Sequence, residues 1–174
     1  SGRARPGIEA LFEVAGKDHR LATASDLGFI VGPRLNAAGR LDDMSVGIEC
    51  LLADSTASAR AKAENLHALN RERRDIEQSM QTDALAQLDA LNLDQADLPF
   101  AMTLYDQNWH QGVIGILASR IRERVYRPTL IFADSDEGML KASGRSIPGL
   151  HLRDALDQVA ARHPGLLTKF GGHA

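Results

Sequence analysis

Three short stretches of this 174-residue chain bring together the groups that hold phosphate. "GPRLNAAGR" (32–40) carries Arg34, Asn36 and Arg40 beside Gly39. A guanidinium donates to phosphate oxygens through a planar fork, and a glycine lets backbone come close. "SGRSIPG" (143–149) repeats the combination, with Ser143, Gly144, Arg145 and Ser146 offering hydroxyls, an amide and a guanidinium in one short run. "FGGHA" (170–174) adds Gly171 and Gly172, whose amides suit an oxyanion, and His173, a donor or proton carrier near neutral pH.

A fourth stretch, "YDQNWHQGVIG" (105–115), sets His110 where a strand hands over to a helix, an edge at which α/β domains bind anions. Trp109 beside it suits either stacking on a base or anchoring a core. Each stretch also has a plainer reading. The arginines could satisfy carbonyls at a domain boundary, "SGRSIPG" could be an ordinary turn, and a Gly-Gly pair is common in turns.

Metal chemistry has less support. The six histidines stand at 19, 67, 110, 151, 163 and 173 with no paired ligand spacing, and Asp42 and Asp43 are adjacent acids in a turn-rich segment. Phosphodiester hydrolysis at a metal needs a cage of carboxylates and histidines, and the sequence shows none. No metal ligand is assigned.

The elements that must position these groups change character along the chain. Residues 1–53 read as two short helices around a glycine-rich loop: "GIEALFEVAG" with Gly16 as a stop, then "ASDLGFIVGP" behind a Ser25 cap. "GPRLNAAGRLDDMS" is dense in turn formers and reads as the loop that clusters Arg34, Asn36 and Arg40. From Asp54 to Leu91 there is neither Gly nor Pro, and Ala, Leu, Glu, Gln and Arg dominate, which predicts one helix of roughly 55 Å. Leu66, Leu69, Ile76, Met80, Leu88 and Leu91 recur at mostly heptad-like intervals, and Arg60/Glu64, Arg71/Asp75 and Arg73/Glu77 can pair one turn apart. Such a helix connects things, or pairs two chains in a coiled coil, although Arg73 and Asp83 interrupt that seam.

After Pro99, strand and helix alternate. A strand at 100–106, a helix at 110–125 and a strand at 128–134 make a βαβ unit with parallel strands and a right-handed crossover. Residues 139–146 predict a third strand, 149–163 a further helix, and "LLTKFGGHA" a strand running into a glycine turn. The fold class is therefore α/β, a mixed sheet preceded by a long helix and a short helical N-terminal part.

Composition bounds the function classes. The chain is 44% hydrophobic and 25% charged with a net charge of −3, the profile of a globular domain rather than a disordered tail. The longest apolar runs fall far short of the ~20 residues of a membrane span. The lone Cys50 and an N-terminus without an apolar leader fit a cytoplasmic location. Acids and bases nearly balance in every segment, so nucleic-acid binding would rest on a few placed arginines rather than a basic stripe.

Taken in order, "GPRLNAAGRLDDMSVGIECLL", "WHQGVIGILASRIRERVYRPTLIF", "KASGRSIPGLHLRDAL" and the final "KFGGHA" resemble the RecJ family of bacterial single-strand-specific exonucleases, within the DHH phosphoesterase superfamily. The resemblance runs over essentially the whole chain. It implies two lobes joined by a long helix, with aspartate motifs and an Asp-His-His triplet holding Mn2+ or Mg2+ on the first lobe. Neither occurs in this sequence. By resemblance, residues 1–53 would be the end of the catalytic lobe, 54–93 the connecting helix and 94–174 most of the DHH-associated domain.

The same resemblance implies that Arg34, Asn36 and Arg40 contact the strand near the cleft, that Ser143, Gly144 and Arg145 grip it, and that Gly171, Gly172 and His173 face the scissile phosphate. It implies 5′-to-3′ hydrolysis of single-stranded DNA in recombination and repair, with single-strand-binding protein and a helicase as partners of the whole enzyme. The chain would be a segment that binds no metal and is inactive alone, and its exposed connecting helix could pair two copies. Two other readings stay open: a phosphodiesterase of the same superfamily acting on very short RNA or cyclic dinucleotides, and a non-catalytic nucleic-acid-binding module.

Overall fold

A computed structural model describes residues 4–90, 98–135 and 138–172. The chain divides into two compact units, Ser1–Ile76 and Glu77–Ala174. The first is all-helical, and the second carries the sheet.

In the first unit α1 (Pro6–Glu13) starts on a proline, whose missing N–H costs nothing at a helix start. It buries Gly7, Ala10, Leu11 and Phe12. Gly16, at φ +69°, turns the chain away as the sequence suggests. The short α2 (Ala24–Asp26) is capped by Thr23 rather than Ser25. Thr23 Oγ1 accepts from the Asp26 amide at 3.3 Å, and the Asp26 carboxylate accepts from the Thr23 amide at 2.8 Å. These bonds hold the Asp26 carboxyl below the usual carboxylate range.

A π-helical turn at Leu27–Val31 carries α2 directly into α3 (Gly32–Leu41). The expected glycine-rich loop is therefore a helix. Pro33 lies in its first turn, where proline is tolerated, and burial of Arg34, Ala37 and Ala38 outweighs the weak helix propensity of Gly39 and Asn36. α4 (Ser45–Leu52) closes this layer, burying Gly47 and Cys50.

The long helix α5 (Thr56–Ala90) has the expected type and extent. Its buried side is narrower than its large apolar residues suggest. Ala59, Ala63, Leu66, Asn70, Met80 and Ala84 are buried, and Arg73 and Glu77, which continue the same three-and-four spacing, are half-buried. Leu69, Ile76 and Leu88 are only half-buried, and Leu91 lies outside the described residues. Of the ion pairs read from the sequence, Arg60–Glu64 forms at 3.0 Å. Arg71 and Asp75 do not pair, although they have the same order and spacing as Arg60 and Glu64; the aspartate side chain is one methylene shorter.

The second unit follows the predicted alternation. β1 (Met102–Tyr105), α6 (Ile114–Val125) and β2 (Thr129–Asp134) form the βαβ unit, with Met102 opposite Thr129 and Tyr105 opposite Phe132 in parallel register. β3 (Leu140–Arg145) joins β2 antiparallel, Arg145 opposite Thr129 and Leu140 opposite Asp134, giving the order β1-β2-β3. Period-two alternation sends Leu104, Ile131, Ser143 and Arg145 to one face, which α6 covers. α7 (Leu152–Arg162) presents Leu152 to the other face, where a Cβ on Gly144 would meet it at 2.6 Å.

The closing strand does not form. Pro164 and Gly165, the latter at φ +86°, turn the chain out of α7, and among the described residues 166–172 pair with no strand. A strand without a hydrogen-bonded neighbour has no standing of its own.

Gly7 fixes how closely α1 approaches α4, because a Cβ there would collide with the Cys50 carbonyl. Alanine ordinarily gains about 0.5–1 kcal/mol over glycine within a helix. Gly7→Ala is expected to reverse that sign and cost about 1–3 kcal/mol. Thermal melting of the chain checks it, and an unchanged or raised midpoint contradicts the packing.

Candidate functional site

The second unit builds a polar pocket where β3 meets the first turns of α6. Arg145, near the end of β3, lays its guanidinium across to the helix. Its Nε donates to Ser119 Oγ at 2.9 Å, and its Nη1 donates to the Gly144 carbonyl at 2.8 Å and to Ser143 Oγ at 3.3 Å. Ser119 in turn donates to the Gly115 carbonyl at 3.3 Å. Gly115 eases this approach: a Cβ there would stand 3.1 Å from Ser143 Oγ and 3.3 Å from Arg145 Nη2, tight enough that either side chain would have to give by a few tenths of an ångström.

Every acceptor of Arg145 is thus a neutral oxygen. Its Nη2 has no acceptor among the described residues. The charge is held in place without being neutralised, and one edge of the fork remains available to an anion.

The start of α6 adds to the same positive region. Its N-cap, Val113, supplies no side-chain cap; the Ile116 amide donates to the Val113 carbonyl at 2.9 Å, and the amides of Ile114 and Gly115 before it have no acceptor among the described residues. Just before it, Asp106 accepts from the Asn108 amide at 2.9 Å and fixes the turn. His110 Nδ1 accepts from the Gly112 amide at 3.1 Å, which places the proton of the neutral ring on Nε2. Lys141, exposed on β3, donates to Gln111 Oε1 at 3.2 Å. Trp109 is a core residue, 3% exposed.

The other predicted residues of this unit sit apart from the pocket's centre. Ser146 donates to the Leu150 carbonyl at 2.6 Å and staples the turn after β3. Gly144 points its missing side chain at Leu152, on the sheet face opposite Ser143 and Arg145. Gly171 and Gly172 are exposed, and no described hydrogen bond ties them to β3. His173 lies outside the described residues.

In the first unit, α3 separates residues that a loop would have clustered. Asn36 and Arg40 are exposed one turn apart and, with Gly39 and Met44, line a shallow depression. Arg34 faces inward and is 7% exposed. Its Nη1 donates to the Ile30 carbonyl at 2.6 Å, while Nε and Nη2 donate to His67 Nδ1 at 3.3 and 3.0 Å. Arginine offers no acceptor, so His67 must carry its ring proton on Nε2. Burial, then the charges of Arg34, Arg71 and Arg74, push the His67 pKa below its ordinary value.

Sequence reading missed Ser119, Gly115 and His67. The first two had a signal, since "GILAS" sets a glycine and a serine one turn apart on the face of a helix that must lie against a sheet. His67 had none, standing on a helix that is polar on most of its surface.

Against known proteins, the family model of the DHHA1 domain matches residues 98–174. Arg145 and its partners Ser119 and Ser143 all lie within the matched residues. Across all 174 residues the chain is 56% identical to the single-stranded-DNA-specific exonuclease RecJ of Dickeya dadantii and 55% identical to that of Escherichia coli. It spans 30% of the length of each of these curated relatives. RecJ of Thermus thermophilus in complex with Mg2+ superposes with a TM-score of 0.78 at 33% identity, covering 97% of this chain and 24% of that one. An exonuclease RecJ bound to manganese gives the same score and identity over 98% of this chain and 39% of its own. The resemblance read from the four motifs is borne out.

Among the described residues no three His, Cys, Asp or Glu side chains gather to hold an ion, so those residues offer no carboxylate cage for Mn2+ or Mg2+. Among the same residues, no helix is long and apolar enough to cross a membrane.

The His67 shift sets a pH dependence. An unfolded histidine titrates near 6.5, and the folded ring titrates lower, so the unfolded state takes up the proton first as pH falls. The associated stability is full above about pH 6.5 and declines as pH drops toward the folded pKa. His67→Gln, which keeps an acceptor for Arg34, is expected to flatten this slope in denaturant unfolding between pH 7.5 and 5.5. A variant with the parent's slope contradicts the assignment.

Proposed function

We propose that this chain is the strand-gripping part of a metal-dependent exonuclease that degrades single-stranded DNA from its 5′ end in bacterial recombination and repair. The observation that carries the reading is Arg145 itself. Its guanidinium is oriented by Ser119, Ser143 and the Gly144 carbonyl beside an uncapped helix start, in a chain similar throughout to RecJ. A phosphate placed there meets a charged donor already aimed at it. Asn36 and Arg40 on α3, with His110, extend the set of strand contacts. Gly171, Gly172 and His173 would complete it at the scissile phosphate.

In this reading residues 1–53 end a catalytic lobe, 54–93 connect, and 94–174 are most of the DHH-associated domain. The whole enzyme would work in the cytoplasm with Mn2+ or Mg2+, held by residues other than those described here. When bound, such ions activate water and stabilise charge at the phosphate. A helicase that opens duplex and a single-strand-binding protein that coats the product would be its natural associates.

Binding of the chain to a labelled oligo(dT), followed by fluorescence anisotropy, tests the grip. Arg145→Ala is expected to weaken binding about tenfold or more, the scale of one charged hydrogen-bonding group. Arg40→Ala should weaken it as well, and affinity should fall steeply with salt. Ser119→Ala keeps the charge but frees the guanidinium, so it should lose less than Arg145→Ala. If Arg40→Ala and Arg145→Ala both bind as the parent does, the assignment is wrong. The chain with Mn2+ should release no nucleotides from the same oligomer, and measurable hydrolysis by a clean preparation would contradict its role as a grip alone.

A further inference from the structure

Unit Ser1–Ile76 holds a second basic cluster that the strand-gripping residues do not account for. Arg34 is 7% exposed, and among the described residues its acceptors are a carbonyl and an imidazole nitrogen. His67 is followed on α5 by Arg71 and Arg74, spaced so that all three share one helix face. Arg74 lies close enough to depress the Arg34 pKa, and both Arg71 and Arg74 depress that of His67. The Arg34–His67 hydrogen bond and the 67/71/74 spacing thus set the two exposed guanidiniums along the helix face on which His67 meets Arg34.

Among the described residues no carboxylate lies within ion-pair distance of Arg34, Arg71 or Arg74. Glu72 and Asp75 line the same open depression of about 540 Å³ as Arg71 and Arg74, yet among the described residues neither exposed arginine forms an ion pair. Like charges gathered in this way oppose folding unless an anion joins them. The depression is open rather than enclosed, which suits a group carried on a passing chain more than a small molecule swallowed whole.

We propose that Arg71 and Arg74, in front of the buried Arg34–His67 pair, form a phosphate subsite on the long helix. Arg34 acts here as a positioning residue. Its bonds to His67 and Ile30 hold the ring and add charge from behind, while Arg71 and Arg74 make the contacts. The subsite rests on the strand-binding reading only for the source of the phosphate.

Two measurements on the 174-residue chain separate the parts. Inorganic phosphate is titrated into labelled protein, with sodium chloride at matched ionic strength as control. NMR should show saturable shifts at the Arg71 and Arg74 side chains and a raised His67 titration midpoint, both abolished in the doubly substituted Arg71→Gln, Arg74→Gln chain. Shifts that never saturate, or that chloride reproduces, overturn the subsite. Oligo(dT) binding by the same variant should weaken at every salt concentration, with the log–log salt slope shallower by roughly 0.7 per lost contact.

An unchanged slope overturns the claim that the subsite takes a strand phosphate. A loss equal with and without a 5′-phosphate on the oligomer assigns an internucleotide phosphate, and a loss confined to the 5′-phosphorylated oligomer assigns a terminal one. If the parent binds inorganic phosphate but no DNA, the strand-binding reading fails while the subsite stands. Both arginines are exposed, and matching thermal midpoints confirm that the variant is folded.

Discussion

Two arginines, Arg145 in one unit and Arg34 in the other, are held among the described residues by acceptors that carry no charge. Arg145 rests on two hydroxyls and a carbonyl, and Arg34 on a carbonyl and an imidazole nitrogen. A carboxylate would have bound either one more strongly and cancelled its field. Neutral acceptors fix the group while leaving its charge to act outward. The rest of each unit can be read as what this arrangement demands: a glycine at 115 so that strand and helix touch, a serine one turn on, and a histidine on α5 opposite α3.

The same demand shapes the packing. In the second unit the sheet face under α6 buries Met102, Leu104 and Ile131 on β1 and β2, with Thr129 the one polar side chain among the described residues there, and becomes mostly polar on β3. Hydrophobic burial thus anchors one side of the helix and leaves the other side to hydrogen bonds. In the first unit the inner side of α5 begins with Ala59 and Ala63 before Leu66, small residues that let α1 and α4 come near. Where the stripe reaches Asn70 it becomes polar, close in sequence to the arginines.

Much of this was legible in the sequence, unevenly and for physical reasons. The βαβ unit and the long helix were readable because their periodicities are strong and their boundaries are marked by Pro, Gly or their absence. α3 was not, because Gly32, Pro33, Asn36 and Gly39 signal a turn locally, while burial of Ala37 and Ala38 against neighbours distant in sequence decides for a helix. The closing segment misled in the opposite direction: "LLTKF" has a strand's composition but no pairing edge. Arg145 was legible as a candidate for phosphate by type alone, whereas its support from Ser119 depends on a contact made only once α6 lies on the sheet. His67 matters through its neighbours, and nothing in its own surroundings in the sequence announces them.

The three bonds that hold Arg145 also decide when its freedom is lost. A free arginine side chain carries about 2 kcal/mol of rotamer entropy, and a ligand that must order it gives up part of that in affinity. Here the ordering happens during folding, while strand and helix close on each other. A phosphate arriving later meets a donor with little left to lose, so the grip resembles a mould already set rather than fingers that must curl. In the strand-gripping role proposed above, such a contact would be quick to form and to release.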